Sequence, residues 1–358
     1  SDLIPFGSSP LNSLKWWEIF KDKFDLIAEK IKKYNIRVSM HPGQYTVLNS
    51  PDEGVVDRSI KDLVYHAKVL EALKTGTSSK IILHIGGVYG DKLTAKKRFI
   101  INYLQLPENV KKRLVIENDE RSYHILDVLE ISEVANIPVI FDNLHHKINP
   151  PNLNKTDQEW INFCKNTFKK TDGIQKIHYS EQDSLKQPGA HSKTINPESF
   201  LEWFNLIDRE DIDIMLEVKD KNVSAIKIKN CTNKNLKNQD LENAWAKYKY
   251  NVLEYSPKTY FLIREMLKDK MNLDPVLFYR IIDNSFTHPL SINNQINAID
   301  HVWGYFKTNS KEKEIYLKKL EKLKQGTLTV KSMKKYLYGL AISTKMNYLL
   351  ESYYFELI

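Results

Sequence analysis

Ile-Pro-Val-Ile-Phe-Asp-Asn-Leu-His-His, residues 137–146, runs a short apolar segment straight into two side chains able to bind a metal. Val139, Ile140 and Phe141 have the length and shape of a strand covered on both faces, as parallel strands in α/β proteins are. Asp142 and His145 then stand at its C-terminal end, where a barrel or an open α/β sheet presents residues to a ligand.

Working outward, the same arrangement recurs. Towards the N-terminus, a strand over 36–40 ends in His41, one over 80–83 in His84 and one over 113–116 in Glu117. Towards the C-terminus, a strand over 176–181 carries His178, a loop presents His191, and a strand over 213–216 ends in Glu217. Apolar residues at helical spacing predict helices between them, over 15–34, 59–73, 92–104, 122–135 and 157–170. Asn196-Pro197 is a cap and first-turn signal for another. This alternation predicts a (β/α) TIM barrel over residues 1–230 with its active site at the C-terminal rim. Only about seven strands can be counted even if residues 1–3 end one, and the chain opens at Ser1 without a Met, so the expectation is either a barrel short of eight strands or one whose first strand is cut.

The period changes beyond Asn230. Lysine- and asparagine-rich residues 230–239 read as a linker, and 240–358 as an all-helical domain. Its helices are expected at 240–254, 258–269, 291–306, 311–324 and 331–355, with turns near Asp274-Pro275, His288-Pro289 and Gln325-Gly326. Residues 231–358 hold 20 Lys and Arg against 13 Asp and Glu, so most of the net +8 lies there, together with 12 of the 19 tyrosines. Such a tail suits a partner with phosphates and stackable bases, and equally a solvated lysine-rich helical surface. The two cysteines, Cys164 and Cys231, argue against a disulfide framework or a cysteine-ligated zinc module and fit a reducing compartment. No apolar run is long enough to span a membrane.

His41, His84, Glu117, Asp142, His145, His178, His191 and Glu217 form a histidine and carboxylate ligand set for zinc, manganese or iron. Eight ligands are too many for one ion, so two or three ions are expected. Clustered divalent ions promote phosphodiester hydrolysis by acidifying water and offsetting charge on the attacking and leaving oxygens. Taken singly, any of these histidines is more often a hydrogen-bonded structural residue; their shared placement at strand ends argues otherwise. His66, His124, His146, His288 and His301 lack that placement and read as structural. Lys176 shares a strand face with His178, where neighbouring cations would depress its pKa and leave an amine able to be carbamylated or to act as a base. Gly86-Gly87 with Tyr89-Gly90-Asp91-Lys92 is a weak signal for a phosphate contact, and Gln44-Tyr45 a polar-aromatic pair able to enter a base stack.

Taken together, His41-Pro-Gly-Gln-Tyr45 with Leu48-Asn-Ser-Pro51, His84-Ile-Gly-Gly, Glu117-Asn-Asp119, Asp142-Asn-Leu-His-His146, Lys176-Ile-His-Tyr-Ser-Glu-Gln182 with Gly189-Ala-His-Ser192, and Glu217-Val-Lys-Asp-Lys221 resemble the UV damage endonucleases over residues 1–225. The resemblance implies a TIM barrel similar to endonuclease IV that holds three metals, manganese being implied and zinc the alternative. The implied activity is nicking of DNA on the 5′ side of cyclobutane pyrimidine dimers and other photoproducts. By motif, His41, His84 and Glu117 are assigned to one ion; Glu117, Asp142, His178 and Glu217 to a second; His145 and His191 to a third. Glu117, Glu217, Lys176 and His145 are the expected catalytic residues, Lys176 matching a carboxylated lysine. Gln44 and Tyr45 match residues that probe the duplex, and Tyr89 and Lys92 are expected at the phosphates. Damaged double-stranded DNA is the expected partner, with no membrane, and the expected state is a monomer. The expected location is cytoplasmic in a bacterial or viral setting and nuclear in a eukaryotic host. The rivals are an abasic-site endonuclease of related fold, a two-metal sugar isomerase, and a non-catalytic DNA-binding protein.

Overall fold

The computed structural model of the protein describes residues 3–9, 11–270, 273–306 and 310–356. The expected strand end at residues 1–3 therefore lies outside the described residues except for Leu3.

Five short strands are formed: β1 (Ile81–His84), β2 (Leu114–Glu117), β3 (Val139–Ile140), β4 (Gln175–Tyr179) and β5 (Ile212–Leu216). They pair in chain order, β1 with β2 and β2 with β3, then β4 with β5, and every pairing is parallel. Single parallel bridges, Met40 to Ile81 and Asp142 to His178, add a segment in front of β1 and join the two sheets. Six parallel segments thus follow one another in sequence with helices between them, the winding of a (β/α) barrel. Arg37 ties this arc across its open side: its guanidinium reaches Asp213 on β5 at 2.7 Å and donates to the Ser78 and Asp172 carbonyls at 2.7 and 2.8 Å.

Register then builds the site. Ile82, Val115 and Ile140 pack together with Phe168. Because alternate residues share a strand face, His84, Glu117 and Asp142 lie one pleat further on the same face. An apolar layer therefore floors a polar one, and the pairing of His84 with Glu117 and of Asp142 with His178 sets imidazole and carboxylate side by side.

The expected strand over 36–40 is not a full strand. Met40 alone bridges, with Met40 N donating to Lys80 O and Ile82 N to Met40 O, because no second strand covers the other edge among the described residues. The helix expected over 15–34 is two, Trp16–Ile19 and Lys21–Lys33. Helices Glu53–Ala72, Lys92–Leu104, Ile125–Ala135 and Asp157–Lys165 supply the next connections, with Pro197–Ile207 ahead of β5.

The chain divides into two compact units, Ser1–Lys193 with Phe204–Lys221, and Thr194–Trp203 with Asn222–Ile358. The second is helical. Leu241, Trp245, Tyr248 and Val252 recur at helical spacing in Asn238–Tyr255 and pack with Ile263, Phe278 and Ile282; a neighbouring core gathers Ile299, Val302, Met333 and Leu337. Two helices here were not expected. Asn222–Thr232 shortens the linker, and Pro275–Ser285 starts where a turn was read: Asp274 caps it by accepting from Val276 N and Leu277 N, and Pro275 occupies its first position. The helix expected over 331–355 ends at Ser343, where Lys345 adopts a φ of 53°, and resumes as Asn347–Leu350. Among the described residues no helix is long and apolar enough to cross a membrane.

Candidate metal centre

Glu117, at the end of β2, is fully buried and is the hub. Its Oε1 lies 2.7 Å from His178 Nδ1 and its Oε2 lies 3.2 Å from His41 Nε2 and 3.8 Å from His84 Nε2. Glu217 follows β5 and takes the far side, 3.2 Å from His178 Nδ1 and 3.5 Å from His191 Nε2. The imidazoles form a chain: ring centroids are 6.3 Å apart from His178 to His41, 5.0 Å from His41 to His84, 5.6 Å from His84 to His145 and 6.3 Å from His145 to His191. Potential ligand atoms converge twice with mutual distances within 4.8 Å, in His41 with His84 and Glu117, and in Glu117 with Asp142 and His178.

Local structure aims these groups. Asn118 brackets Asp142, its Oδ1 accepting from Asp142 N at 2.9 Å and its Nδ2 donating to Asp142 O at 3.1 Å. Asp142 in turn caps helix Asn143–Ile148 by accepting from His145 N at 2.7 Å. His145 Nδ1 lies 3.0 Å from the Asn118 carbonyl, so that nitrogen carries a donated proton and Nε2 faces the site. His191 is set by a tight return of the chain, in which Asp183 N donates to Ala190 O and Ser192 N to Glu181 O, each at 2.7 Å.

The electrostatics call for positive charge. Burial would raise Glu117, but the His178 charge and hydrogen bonds from His178 and His41 hold its carboxyl well below the usual range. Burial lifts Asp142 to about 6. It also drives His84 down to about 3. His178 and His145 go the other way: burial opposes their charge, yet Glu117 and Glu217 for the first, and Asp142, Glu117 and Glu120 for the second, hold each imidazole up at about 9. Protons on these rings are doing what a cation would do. Moreover, His84 Nδ1 and His178 Nε2 are buried with no hydrogen-bond partner. Each such nitrogen is left without a partner at a cost of about 1–3 kcal/mol. A buried carboxylate shared among converging imidazoles is a donor set that fits divalent metals accepting N and O ligands.

Residues 1–248 match the family described as UV-endonuclease UvdE. The chain belongs to that family. It is 43% identical over 324 residues to the UV DNA damage endonuclease of Clostridium perfringens, covering 89% of this chain and 77% of that one. A protein of the same name from Bacillus cereus (strain Q1) is 32% identical over 228 residues, 63% of this chain and 71% of that one. Among solved structures, that of SacUVDE superposes with a TM-score of 0.58 at 43% identity, over 63% of this chain and 75% of that one. Residues 249–357 match a second family, a protein of unknown function (DUF1722).

The remaining UvdE-type motif residues lie around this centre in different ways. Gln44 and Tyr45 are exposed on the loop after His41, and Tyr45 is folded over Gly43, whose absent Cβ makes room for its ring. Lys176 is buried and donates to Ser39 Oγ at 2.8 Å; burial first, and then the Arg37 charge, lower its amine to about 8. Tyr89 is exposed over the Arg98 guanidinium, whereas Lys92 is committed to Asp127 and the Tyr123 ring and not to the cluster. His124, read as structural, caps helix Ile125–Ala135. Residue-by-residue reading missed Asn118 and Asn49, although both lie inside quoted motifs. It also missed Glu120, which no spacing points to.

Proposed function

We propose that the protein is a divalent-metal-dependent repair endonuclease that hydrolyses duplex DNA on the 5′ side of UV photolesions, cyclobutane pyrimidine dimers and 6-4 photoproducts, leaving a 3′-hydroxyl and a 5′-phosphate. The observation that carries this is Glu117, a buried carboxylate shared by two separate convergences of ligand atoms, in a chain of the UV-endonuclease family. His41, His84 and Glu117 would hold one ion; Glu117, Asp142, His178 and Glu217 a second; His145 and His191 a third, with manganese the metal and zinc the alternative. Bound divalent ions would supply Lewis acidity, lowering the pKa of water and offsetting charge on the phosphate oxygens.

The chain's own residues do the positioning. Asn118 fixes the Asp142 backbone and the His145 tautomer, so two ligands keep their lone pairs aimed at one volume. Exposed Gln44 and Tyr45 are placed to enter the stack beside a lesion, where unpaired bases cost least to displace. Tyr89, on the loop after His84, is placed to meet the backbone. Lys176, with its amine lowered to about 8, is available as a neutral nucleophile for carbon dioxide. One chain supplies all eight ligands, so a monomer suffices, with the work confined to residues 1–230 and 240–358 a separate helical domain.

The test is incision of irradiated supercoiled plasmid with Mn2+. The wild-type chain should nick irradiated and spare unirradiated plasmid, chelator should stop it, and Glu217→Ala should abolish it. Cleavage that persists in the variant, or that ignores chelator, refutes the assignment.

A further inference from the structure

We propose that Glu120 is a metal ligand, its carboxylate joining the imidazoles of His145 and His191 to complete a third divalent-cation position. This rests on the multi-ion reading above, in which the third ion had two protein ligands.

Glu120 stands three residues past the end of β2, beyond the ring of strand-end ligands. Its Oε2 lies 3.8 Å from His145 Nε2. That is too long for a hydrogen bond. It is within about half an ångström of the separation of two donors on one ion, which for bonds of about 2.1 Å at a tetrahedral angle is about 3.4 Å. The orientation of the ring sharpens the case. His145 Nδ1 is engaged by the Asn118 carbonyl at 3.0 Å, so Nε2 is the nitrogen left to face the Glu120 carboxylate, and a divalent cation taking the place of its proton would be shared by the two.

Nothing else claims the carboxylate. Among the described residues Glu120 makes no ion pair with a lysine or arginine, and its side chain is only 26% exposed. The return of chain that carries His191 approaches it at the backbone. Gly189 has a φ of +86°, and a Cβ there would sit 2.9 Å from Glu120 Cγ, so the loop approaches Glu120 as closely as a glycine permits. Gly189 N is pinned to Gln182 Oε1 at 2.8 Å, and Gln182 bridges to His191, whose ring centroid lies 6.3 Å from that of His145. The three side chains come from three connections, the loop after β2, the helix after β3 and the return after β4; in the metal-free structure Glu120 is within reach of His145 alone, and a bound ion would draw His191 to the same pair.

The experiment counts ions. The full chain is stripped with chelator, reloaded with Mn2+ and desalted; bound manganese is measured by mass spectrometry and site affinities by titration calorimetry. Glu120→Gln, which keeps size and removes charge, should lose one equivalent or weaken one site about tenfold or more while the others are unchanged. His191→Ala should lose the same equivalent, and the double variant no further one, since both remove a single site. Glu120→Asp, whose shorter carboxylate cannot close the same distance, should fall between wild type and Glu120→Gln. Thermal unfolding of the metal-free variants should match metal-free wild type. Glu120→Gln with the wild-type count and affinities within about twofold overturns the proposal, as does a loss additive with that of His191→Ala. A wild-type chain that takes up no Mn2+ sinks the multi-ion reading itself, which keeps the two failures apart.

Discussion

Gly86 follows His84 by two residues with a φ of +112°, and an added Cβ would meet Asn49 Oδ1 at 2.4 Å and Val47 Cγ1 at 3.0 Å. Asn49 is fully buried and ties the loop after His41 to the loop after His84, donating to Gly87 O at 2.7 Å and to Tyr123 Oη at 3.2 Å. Gly90, in the same loop, also has a positive φ of +83° but nothing within 4 Å of its would-be Cβ. The pair separates two costs. Gly90→Ala should cost only the backbone strain, about 1–2 kcal/mol. Gly86→Ala should add the displacement of Asn49, whose two hydrogen bonds contribute about 1 kcal/mol each, for about 3–4 kcal/mol in all. Urea unfolding of the metal-free chain measures both. Asn49→Ala in the Gly86→Ala background removes the clash, and the two hydrogen bonds are then lost once instead of twice, so the double variant should cost about 2 kcal/mol less than the sum of the singles. Gly86→Ala no more destabilising than Gly90→Ala, or strict additivity with Asn49→Ala, would refute the clash as the reason glycine stands there.

Asp127 is buried, and burial would raise its pKa, but Lys92 and Lys96 hold it below the ordinary 3.8. A depressed carboxyl contributes stability above its unfolded pKa of about 4 and loses it as pH falls through the folded value. The gap in urea midpoint between wild type and Asp127→Asn should therefore be full at neutral pH and shrink in acid; a gap constant with pH would be contrary. In the helical unit Lys227 is fully buried, with Nζ 2.7 Å from Asp283 Oδ2 and 2.6 Å from Thr194 Oγ1. Asp283→Asn strands that ammonium and should cost about 2–3 kcal/mol, recovered in part by adding Lys227→Met, as thermal melts will show. Replacing Gln44 and Tyr45 together with alanine should weaken binding to irradiated duplex about tenfold or more, since one base–aromatic stack is worth about 1–3 kcal/mol, without altering Mn2+ uptake. Equal duplex affinity would count against their role as probes.

The strand-end imidazoles and carboxylates were legible because two periodicities coincide in them: a strand buried on both faces reads as a short apolar run, and the first polar residue after it falls at the rim. That argument needs only neighbours in sequence, which is why β1, β2 and their His84 and Glu117 could be placed from residues 80–84 and 113–117. The 36–40 segment has the same composition, but strand assignment depends on partners, and Met40 alone finds one. Asn222–Thr232 escaped notice for a different reason. Its buried face carries Lys227 and Asn230, the latter donating to Tyr279 Oη at 2.7 Å, so polar residues satisfied from another helix erase the apolar stripe that would announce it. Asp274-Pro275 was read as a turn because the residues that favour turns also start helices.

Glu120 marks where this kind of reading stops. Its neighbour at Gly189 is distant in sequence, and the link between them is a backbone approach that only a residue without a Cβ allows. A side chain placed in that way leaves no periodicity and no strand end to follow, only an acidic residue among several in Glu117-Asn-Asp-Glu120. Parallel strands make their rim residues neighbours by register, so the part of the centre built on β1 to β5 was readable in advance. The part built between loops depends on how closely two returns of the chain approach, and that is decided by packing.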